Sequence, residues 1–310
     1  METSIKNLEP MEGYVATIGM FDGVHIGHQF VLRHVMNAAR ERNLQSMAIT
    51  FDHTLRGGQV LTPLDDKLRL LSQTGINRTE VLAFTDELRQ LTAREFMEQE
   101  LKERLHVKVL LIGYDNRFGH NRTEGFDDYV RYGQELGIEV MKLPPAPLSL
   151  APQYASPVTH TLSSSLIRQL LAGGKVASAA EGLGHPYSIA GKVIHGERIG
   201  TQMGFPTANI KPLCDCQLIP APGVYAVRVA LEVRGEHLEV KGMMNIGMRP
   251  TFNGRQKTLE VHIFHLHENL YGQLLRVSFV DRLREEQRFE TLEALKRQLT
   301  KDAIRAQELL

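Results

Sequence analysis

Between residues 13 and 145, short apolar runs alternate with segments of helical period, and this alternation restricts the chain more than any other feature. The runs "GYVATIG", "SMAITF", "TEVLAF", "VKVLLIG" and "IEVMKLP" are rich in Val, Ile and Leu, as expected of strands covered on both faces. Between the first two, "QFVLRHVMNAARER" carries Val31, Leu32, Val35, Met36 and Ala39 at helical spacing. A later segment, "TAREFMEQELKERL", opens with Thr92 and Glu95 spaced as a capping box. Strand, helix and strand in succession call for right-handed crossovers, so an open, doubly wound parallel α/β sheet of Rossmann type is expected.

The texture changes beyond residue 145. The passage "LPPAPLSLAPQYASP" is too rich in proline for a regular helix, and "SSSLIRQLLAGGKVASAAEGLG" predicts two short helices. From 187 to 284, glycine and proline punctuate the strand-like pieces "YSIAGKVIHG", "GVYAVRVALEV", "KGMMNIG", "TLEVHIFHL" and "LLRVSFVDRLR". Such punctuation favours a small antiparallel β-barrel or sandwich. A terminal helix is expected over "TLEALKRQLTKDAIRAQELL", with Leu292, Leu295, Leu299, Ala303 and Ile304 as its apolar stripe. The 310 residues suffice for two cores, and the boundary is placed between 183 and 184, giving domains 1–183 and 184–310.

Thirty-six Lys and Arg balance thirty-six Asp and Glu, so net charge gives no reason to expect a nucleic-acid footprint or a polybasic membrane contact. No apolar run approaches transmembrane length, and "METSIKNLEPMEG" lacks the basic start and apolar core of a secretory signal. A cytoplasmic protein is expected. The two cysteines, Cys214 and Cys216 in "LCDCQ", stand too close for an easy disulfide and are expected to be free thiols.

The chemistry concentrates in two places. In "MFDGVHIGHQ" a strand's carboxyl end meets a helix's amino end, where unpaired amides and the helix dipole favour an anion. Gly23 and Gly27 let a phosphate approach the backbone, and His25 and His28 are placed to donate hydrogen bonds to it. A metal pair and core packing are the competing readings; a metal lacks a nearby third ligand, and core histidines are seldom interleaved with glycine in a loop. Further on, "GKVIHGERIGTQMGFPTANI" spaces Gly196, Gly200 and Gly204 around a strand pair and ends on Thr207 and Asn209. Two apart in an extended stretch, their oxygens point the same way and can hold Mg2+ and phosphate oxygens together, the alternative being a turn that leaves the strand. In "TLEVHIF" alternation puts Leu259, Val261 and Ile263 on one face and Glu260, His262 and Phe264 on the other. His262, His265 and His267 have poor spacing for zinc and are expected to face solvent.

"GMFDGVHIGHQ" resembles the HxGH nucleotide-binding signature of adenylyltransferases, and the surrounding string resembles the amino-terminal module of bacterial bifunctional riboflavin kinase/FAD synthetases. "LIGYDNRFGHNRTEG" and "SSSLIRQLL" match further motifs of that family in order. "GFPTAN", "APGVYAV", "NIGMRPTF", "LEVHIF", "LYG" and "RLREEQRF" resemble its riboflavin kinase module, and together the two resemblances span about residues 13 to 310.

The resemblance implies that His25 and His28 contact ATP phosphates, that Asp115 and the "RFG" segment line that site, and that Ser164 and Arg168 complete it. It also implies that Glu260 accepts the proton of riboflavin's ribityl hydroxyl, that Thr207 and Asn209 hold the metal, and that the 196 to 204 loop covers the phosphates. Asn245, Arg249, Arg284 and Phe289 are candidates for the flavin side. Implied besides are Mg2+, ATP as co-substrate, and flavin as substrate and product: riboflavin to FMN, then FMN to FAD. The chain departs from the family pattern with "FDHTLR" at 51 to 56, where "FDPHP" is usual, and with Asn116 where phenylalanine is usual. Two rival readings are a riboflavin kinase with a degenerate amino-terminal half and a flavin-sensing protein without turnover.

Overall fold

In the computed structural model the described residues are 12–52, 58–113, 116–120, 123–143, 162–196, 200, 203–233, 235–251, 254–266 and 268–310, with the side chains of 249–251 and 254–256 excluded. The proline-rich passage from 144 to 157 lies outside them. The chain forms two compact units, one of residues 1–58 with 64–150 and one of residues 59–63 with 151–310.

In the first unit, β1 (Tyr14–Ile18), β2 (Gln45–Phe51), β3 (Arg78–Leu82), β4 (Val107–Ile112) and β5 (Glu139–Lys142) fall on the five apolar runs. Among the described residues they make one sheet of order β3-β2-β1-β4-β5, parallel at every pairing. Alternate side chains feed two cores. Ala16, Met47, Ile49 and Leu110 pack toward α4 (Ala93–Phe96) and α5 (Phe126–Leu136), whereas Val15, Ala48, Val109 and Leu111 pack toward α1 (Ile26–Glu41) and α2 (Leu64–Ser72). A further short helix, α3, spans Asp86–Gln90. Burial on both faces explains the missing polar alternation in these strands.

The expected capping box is formed: the Glu95 carboxylate accepts from the Thr92 N–H at 2.8 Å while Thr92 Oγ1 accepts from the Glu95 N–H at 3.2 Å. After one α-turn, however, the helix widens, and Met97–Arg104 follow a π-helical path. Met97 and Leu101 are buried in the core along this path.

In the second unit α6 (Ser164–Ala172) and α7 (Val176–Leu183) bury Ile167, Leu171, Val176, Ala179 and Leu183 together with barrel residues. The barrel strands are β6 (Ser188–Ile194), β7 (Ala208–Pro212), β8 (Gly223–Val233), β9 (Glu236–Thr251), β10 (Gly254–Ile263) and β11 (Leu274–Arg284). Among the described residues they close in the order β10-β7-β6-β11-β8-β9, with antiparallel neighbours throughout. Leu61 joins this core, and Val60 bridges the turn after β7 through hydrogen bonds to Cys216 O and from Leu218 N–H, both 2.8 Å.

Two expectations are corrected here. Cys214 and Cys216 are not free thiols but form a disulfide: in the turn after β7 the Gln217 N–H donates to the Cys214 carbonyl (3.2 Å), and the two Cα atoms come within 5.2 Å, inside the range a disulfide spans. On the terminal helix α8 (Leu292–Leu309), Leu292 and Ile304 are exposed, whereas Leu299, Ala303, Ala306 and Leu309 pack against Met243 and Phe264 of the barrel wall. Ile304 stands two residues from the buried Asp302 and so faces away from the wall, and Leu292 occupies the first turn, beyond the packed cluster.

Asp302 anchors this helix. Arg284 Nε donates to both its carboxylate oxygens (2.9 and 3.1 Å), Arg284 Nη2 lies 2.8 Å from it, and Gln298 Nε2 adds a bond of 2.8 Å. Replacing one partner of so enclosed a pair leaves the other charge uncompensated. Asp302→Ala is therefore expected to cost about 3 kcal/mol, read in denaturant unfolding followed by near-ultraviolet circular dichroism of the tyrosines; a loss below about 1 kcal/mol would contradict the anchoring role.

Candidate functional sites

The first site lies where β1 ends. β1 is the middle strand, flanked by β2 and β4, so the chain order reverses beside it and a crevice opens at the carboxyl ends of the strands. From there the backbone turns through left-handed positions at Phe21 (φ 48°), Gly23 (φ 87°) and Val24 (φ 40°) before His25 caps α1. Gly23 meets this demand without strain; Phe21 and Val24 do not. Gln29 Nε2 donates to the Val24 carbonyl at 2.9 Å and steadies the loop against the helix it precedes.

The two histidines come together. His25 Nδ1 accepts from the His28 N–H at 3.3 Å, and the rings stack with centroids 3.6 Å apart. With Nδ1 accepting at the cap, the neutral His25 ring carries its proton on Nε2. A Cβ at Gly27 would sit 3.1 Å from His25 Nδ1, so the glycine leaves the ring its room. Phe21 meets His28 edge-on at 5.3 Å, and His28 Nδ1 is a buried polar atom without a hydrogen-bond partner among the described residues. Burial lowers the pKa of His25 to about 4, against a backbone hydrogen bond that raises it. That of His28 falls well below the ordinary value through burial, then repulsion from His25 and Lys67. Both rings are therefore neutral at pH 7 and offer hydrogen-bonding groups without charge, beside a helix mouth of the kind that favours an anion.

Beside this loop is a mostly apolar pocket lined by Phe51, Asn116 and the "RFG" segment of Arg117, Phe118 and Gly119, all within motifs already named, and by Phe84, Phe96 and Gly19 among others. Phe51 and Phe84 meet edge-on at 5.5 Å, and Phe118 stacks on Tyr129 at 4.2 Å. Its clue was positional: Phe51 is the last residue of β2 and Phe84 stands two beyond β3, at the ligand-binding edge of the sheet. Asn116 donates to the Ile18 carbonyl at 2.5 Å and so holds the loop after β4 against the end of β1. Asp115 lies outside the described residues. Ser164 and Arg168 stand on α6 in the second unit, where Arg168 Nε donates to Gln59 O at 3.1 Å.

The second site is on the outer wall of the barrel. Leu259, Val261 and Ile263 point into the barrel core, so Glu260, His262 and Phe264 face outward, as the alternation predicts. Glu260 pairs directly with Asn209 of β7 on one side and with Asn245 of β9 on the other, so the three side chains form one row. The backbone at Gly196 lies so close over the Asn209 amide that a Cβ there would overlap it, and a Cβ at Gly200 would lie 3.5 Å from Thr207 Oγ1. Gly204 takes φ 82° in the same segment. The row continues past Asn245 to Gly247, where the Thr258 hydroxyl and the Glu286 carboxylate converge. Neither Thr258 nor Glu286 stood out in the sequence, since each reads as an ordinary outward polar residue.

His262 is not solvent-facing as expected. It is half-buried between Phe205 and Phe264, Nδ1 lies 2.8 Å from the Pro206 carbonyl, and its pKa is lowered by burial despite that bond. It therefore fixes the segment that carries Thr207 and Asn209. His265 is exposed with φ 59°, and His267 lies outside the described residues. Arg284 is engaged by Asp302 and sits 5.6 Å from the Phe289 ring centroid. Arg249 pairs with Gln256 four positions beyond Asn245, with its side chain outside the described set.

Thr207 and Asn209 offer neutral hard oxygens, and no cluster of three His, Cys, Asp or Glu suited to a metal occurs among the described residues. Such donors fit Mg2+, which is commonly shared between a few protein oxygens and substrate phosphates. Also among the described residues, no helix is long and apolar enough to cross a membrane.

Residues 8–150 match the family model described as FAD synthetase, and residues 183–310 match the one described as riboflavin kinase. The bifunctional riboflavin kinase/FMN adenylyltransferase of Escherichia coli K12 is 38% identical over 306 residues, covering 96% of this chain and 93% of the relative. Proteins of the same description from Haemophilus influenzae (38%, 94% of this chain and 92% of the relative) and Pseudomonas fluorescens (37%, 98% and 96%) are similar along the same length. A solved structure from Streptococcus pneumoniae, described as a macrolide-efflux protein, superposes with a TM-score of 0.83 at 29% identity, covering 97% of this chain and 96% of that one.

The His25 shift gives a signed pH dependence. Because its folded pKa of about 4 lies below the unfolded value of 6.5, its contribution is fully present above pH 6.5 and is lost as pH falls from there toward 4. His25→Asn keeps a capping side chain but removes the titration. Between pH 7 and 4 the wild type is expected to lose about 3 kcal/mol more than this variant, measured by hydrogen exchange of the α1 amides; parallel profiles would contradict the buried neutral ring.

Proposed function

The chain belongs to the family of bifunctional riboflavin kinase/FMN adenylyltransferases, and from that premise we propose how its two sites divide the work. Riboflavin takes a phosphoryl group from ATP on the barrel wall to give FMN and ADP. FMN then takes an adenylyl group from a second ATP at the mouth of α1 to give FAD and pyrophosphate. The functional boundary lies between 183 and 184, and the enzyme works in the cytoplasm on small molecules.

The direct pairing of Glu260 with Asn209 carries this reading. In the kinase step the nucleophile is an alcohol, which gains from a positioned acceptor for its proton. Glu260 takes that proton as the ribityl oxygen attacks the γ-phosphorus and the bond to ADP breaks. Thr207 and Asn209 would hold Mg2+ and phosphate oxygens, and the backbone at Gly196, packed directly on the Asn209 amide, would keep that side chain in place. When bound, Mg2+ neutralises charge on the phosphates. His262 keeps the Thr207 segment in register with Glu260 through Pro206, while Asn245 and Glu286 border the flavin side.

Adenylylation makes the opposite demand. The attacking phosphate of FMN is ionised at neutral pH, since the second pKa of a phosphomonoester is about 6, so no general base is required. Alignment of two polyanions is the task. The amide groups at the mouth of α1, with His25 and His28 as neutral donors, receive the triphosphate of ATP. The aromatic pocket of Phe51, Phe84, Phe96 and Phe118 takes the flavin ring, whose flat apolar faces suit it.

Incubation of the pure protein with riboflavin, ATP and Mg2+ should yield FMN and then FAD on separation of the flavins; no FMN would refute the kinase assignment. Supplied FMN and ATP should yield FAD, and its absence while kinase activity persists would favour a kinase with a degenerate amino-terminal half. Glu260→Ala should lower FMN formation by about a thousandfold and leave FAD formation from FMN intact, and His28→Ala should do the reverse. Equal loss of both activities in either variant would contradict two separable sites.

A further inference from the structure

A lysine is seldom buried without a specific partner, because its stem readily carries the ammonium to water. Lys67, on the inner face of α2, is only 5% exposed. Its Nζ donates to the Phe51 carbonyl at 2.8 Å and to the Met20 carbonyl at 3.2 Å. These carbonyls belong to the last residue of β2 and to the second residue beyond β1. The buried Thr50 hydroxyl donates to the same Met20 carbonyl at 3.2 Å.

The loop beyond Met20 needs such a clamp. Phe21 and Val24 both hold positive φ, a conformation that side chains with a Cβ avoid and that persists only where surrounding contacts over-determine it. At the far end of the loop, Gln29 holds Val24 and His25 caps the helix. At the near end, the Met20 carbonyl is held by Lys67 and Thr50 together. Lys67 also lies within electrostatic reach of Asp22, Asp52 and His28, which places its head group among the polar side chains of the site.

We propose that Lys67 is a positioning residue for adenylyl transfer: by tying together the carbonyls at the ends of β1 and β2, it holds the left-handed loop that presents His25, His28 and the first amides of α1 to the triphosphate. The inference rests on the reading of the α1 mouth as the ATP site. Lys67 acts through the loop, since two of its three donors are committed to backbone carbonyls.

The test uses the full-length chain, whose kinase reaction serves as an internal reference. Lys67→Met keeps the length of the side chain and removes its donors. It is expected to lower kcat for FAD formation from FMN and ATP by about 100-fold, with KM for FMN and the rate of FMN formation from riboflavin within about twofold of wild type. Lys67→Arg should restore part of the loss. Thr50→Val, which removes the second donor to Met20 without disturbing the lysine, should lower the same kcat by about fivefold, and this arm decides the matter should Lys67→Met fail to fold. Unchanged kcat in Lys67→Met, or in Thr50→Val where the lysine variant is unfolded, would overturn the assignment. His28→Ala separates the two levels: FAD formation lost there but kept in Lys67→Met refutes the role of Lys67 alone, whereas FAD formation kept in both refutes the α1 mouth as the ATP site.

Discussion

The pairing of β10 with β7 on one side and β9 on the other is the constraint on which the second unit depends. A closed ladder leaves no freedom of register, because a slip of one residue would turn Leu259, Val261 and Ile263 out of the barrel and Glu260 into it. The same hydrogen bonds that bury the apolar set therefore place Glu260 in a row with Asn209 and Asn245. Stability and site geometry share one cause here. His262 adds a second fixing point, since it grips the Pro206 carbonyl from the outward face of the strand that carries Glu260.

The first unit solves a different problem with different means. A parallel sheet brings strand ends and helix mouths to one edge, and the loop after β1 delivers the amides of α1 to that edge. Its strained residues need holding from outside, and neighbouring elements supply the bonds: Thr50 on β2, Gln29 on α1 and Asn116 after β4. Burial keeps both imidazoles neutral. This arrangement suits a reaction whose nucleophile is already ionised, as the barrel wall with its carboxylate suits one whose nucleophile is an alcohol.

Much of this was legible in the chain. β8 and β11 occupy the very residues of "GVYAVRVALEV" and "LLRVSFVDRLR", because a half-buried strand writes its period into the sequence. The five apolar runs and the Thr92 cap were equally direct, being local signals. What escaped depended on distant partners. Lys67 in "LDDKLRLLS" reads as one more charge on an amphipathic helix until the ends of β1 and β2 are seen to meet it. Likewise Arg284 gave no hint of Asp302, eighteen residues on, and Phe84 and Phe96 stand apart in the chain from the "FDHTLR" and "RFG" strings that bring Phe51 and Phe118 to the first pocket. The cysteines misled because their fate rests on how tightly the turn after β7 closes, a property of the backbone and not of their spacing.

Separate sites that exchange a free intermediate can be tested by complementation. Glu260→Ala and His28→Ala chains, each supplied with riboflavin, ATP and Mg2+, should make no appreciable FAD alone, yet a mixture of the two should make it, since FMN released by one is adenylylated by the other. A mixture as inactive as its components would contradict two independent phosphate-transfer sites.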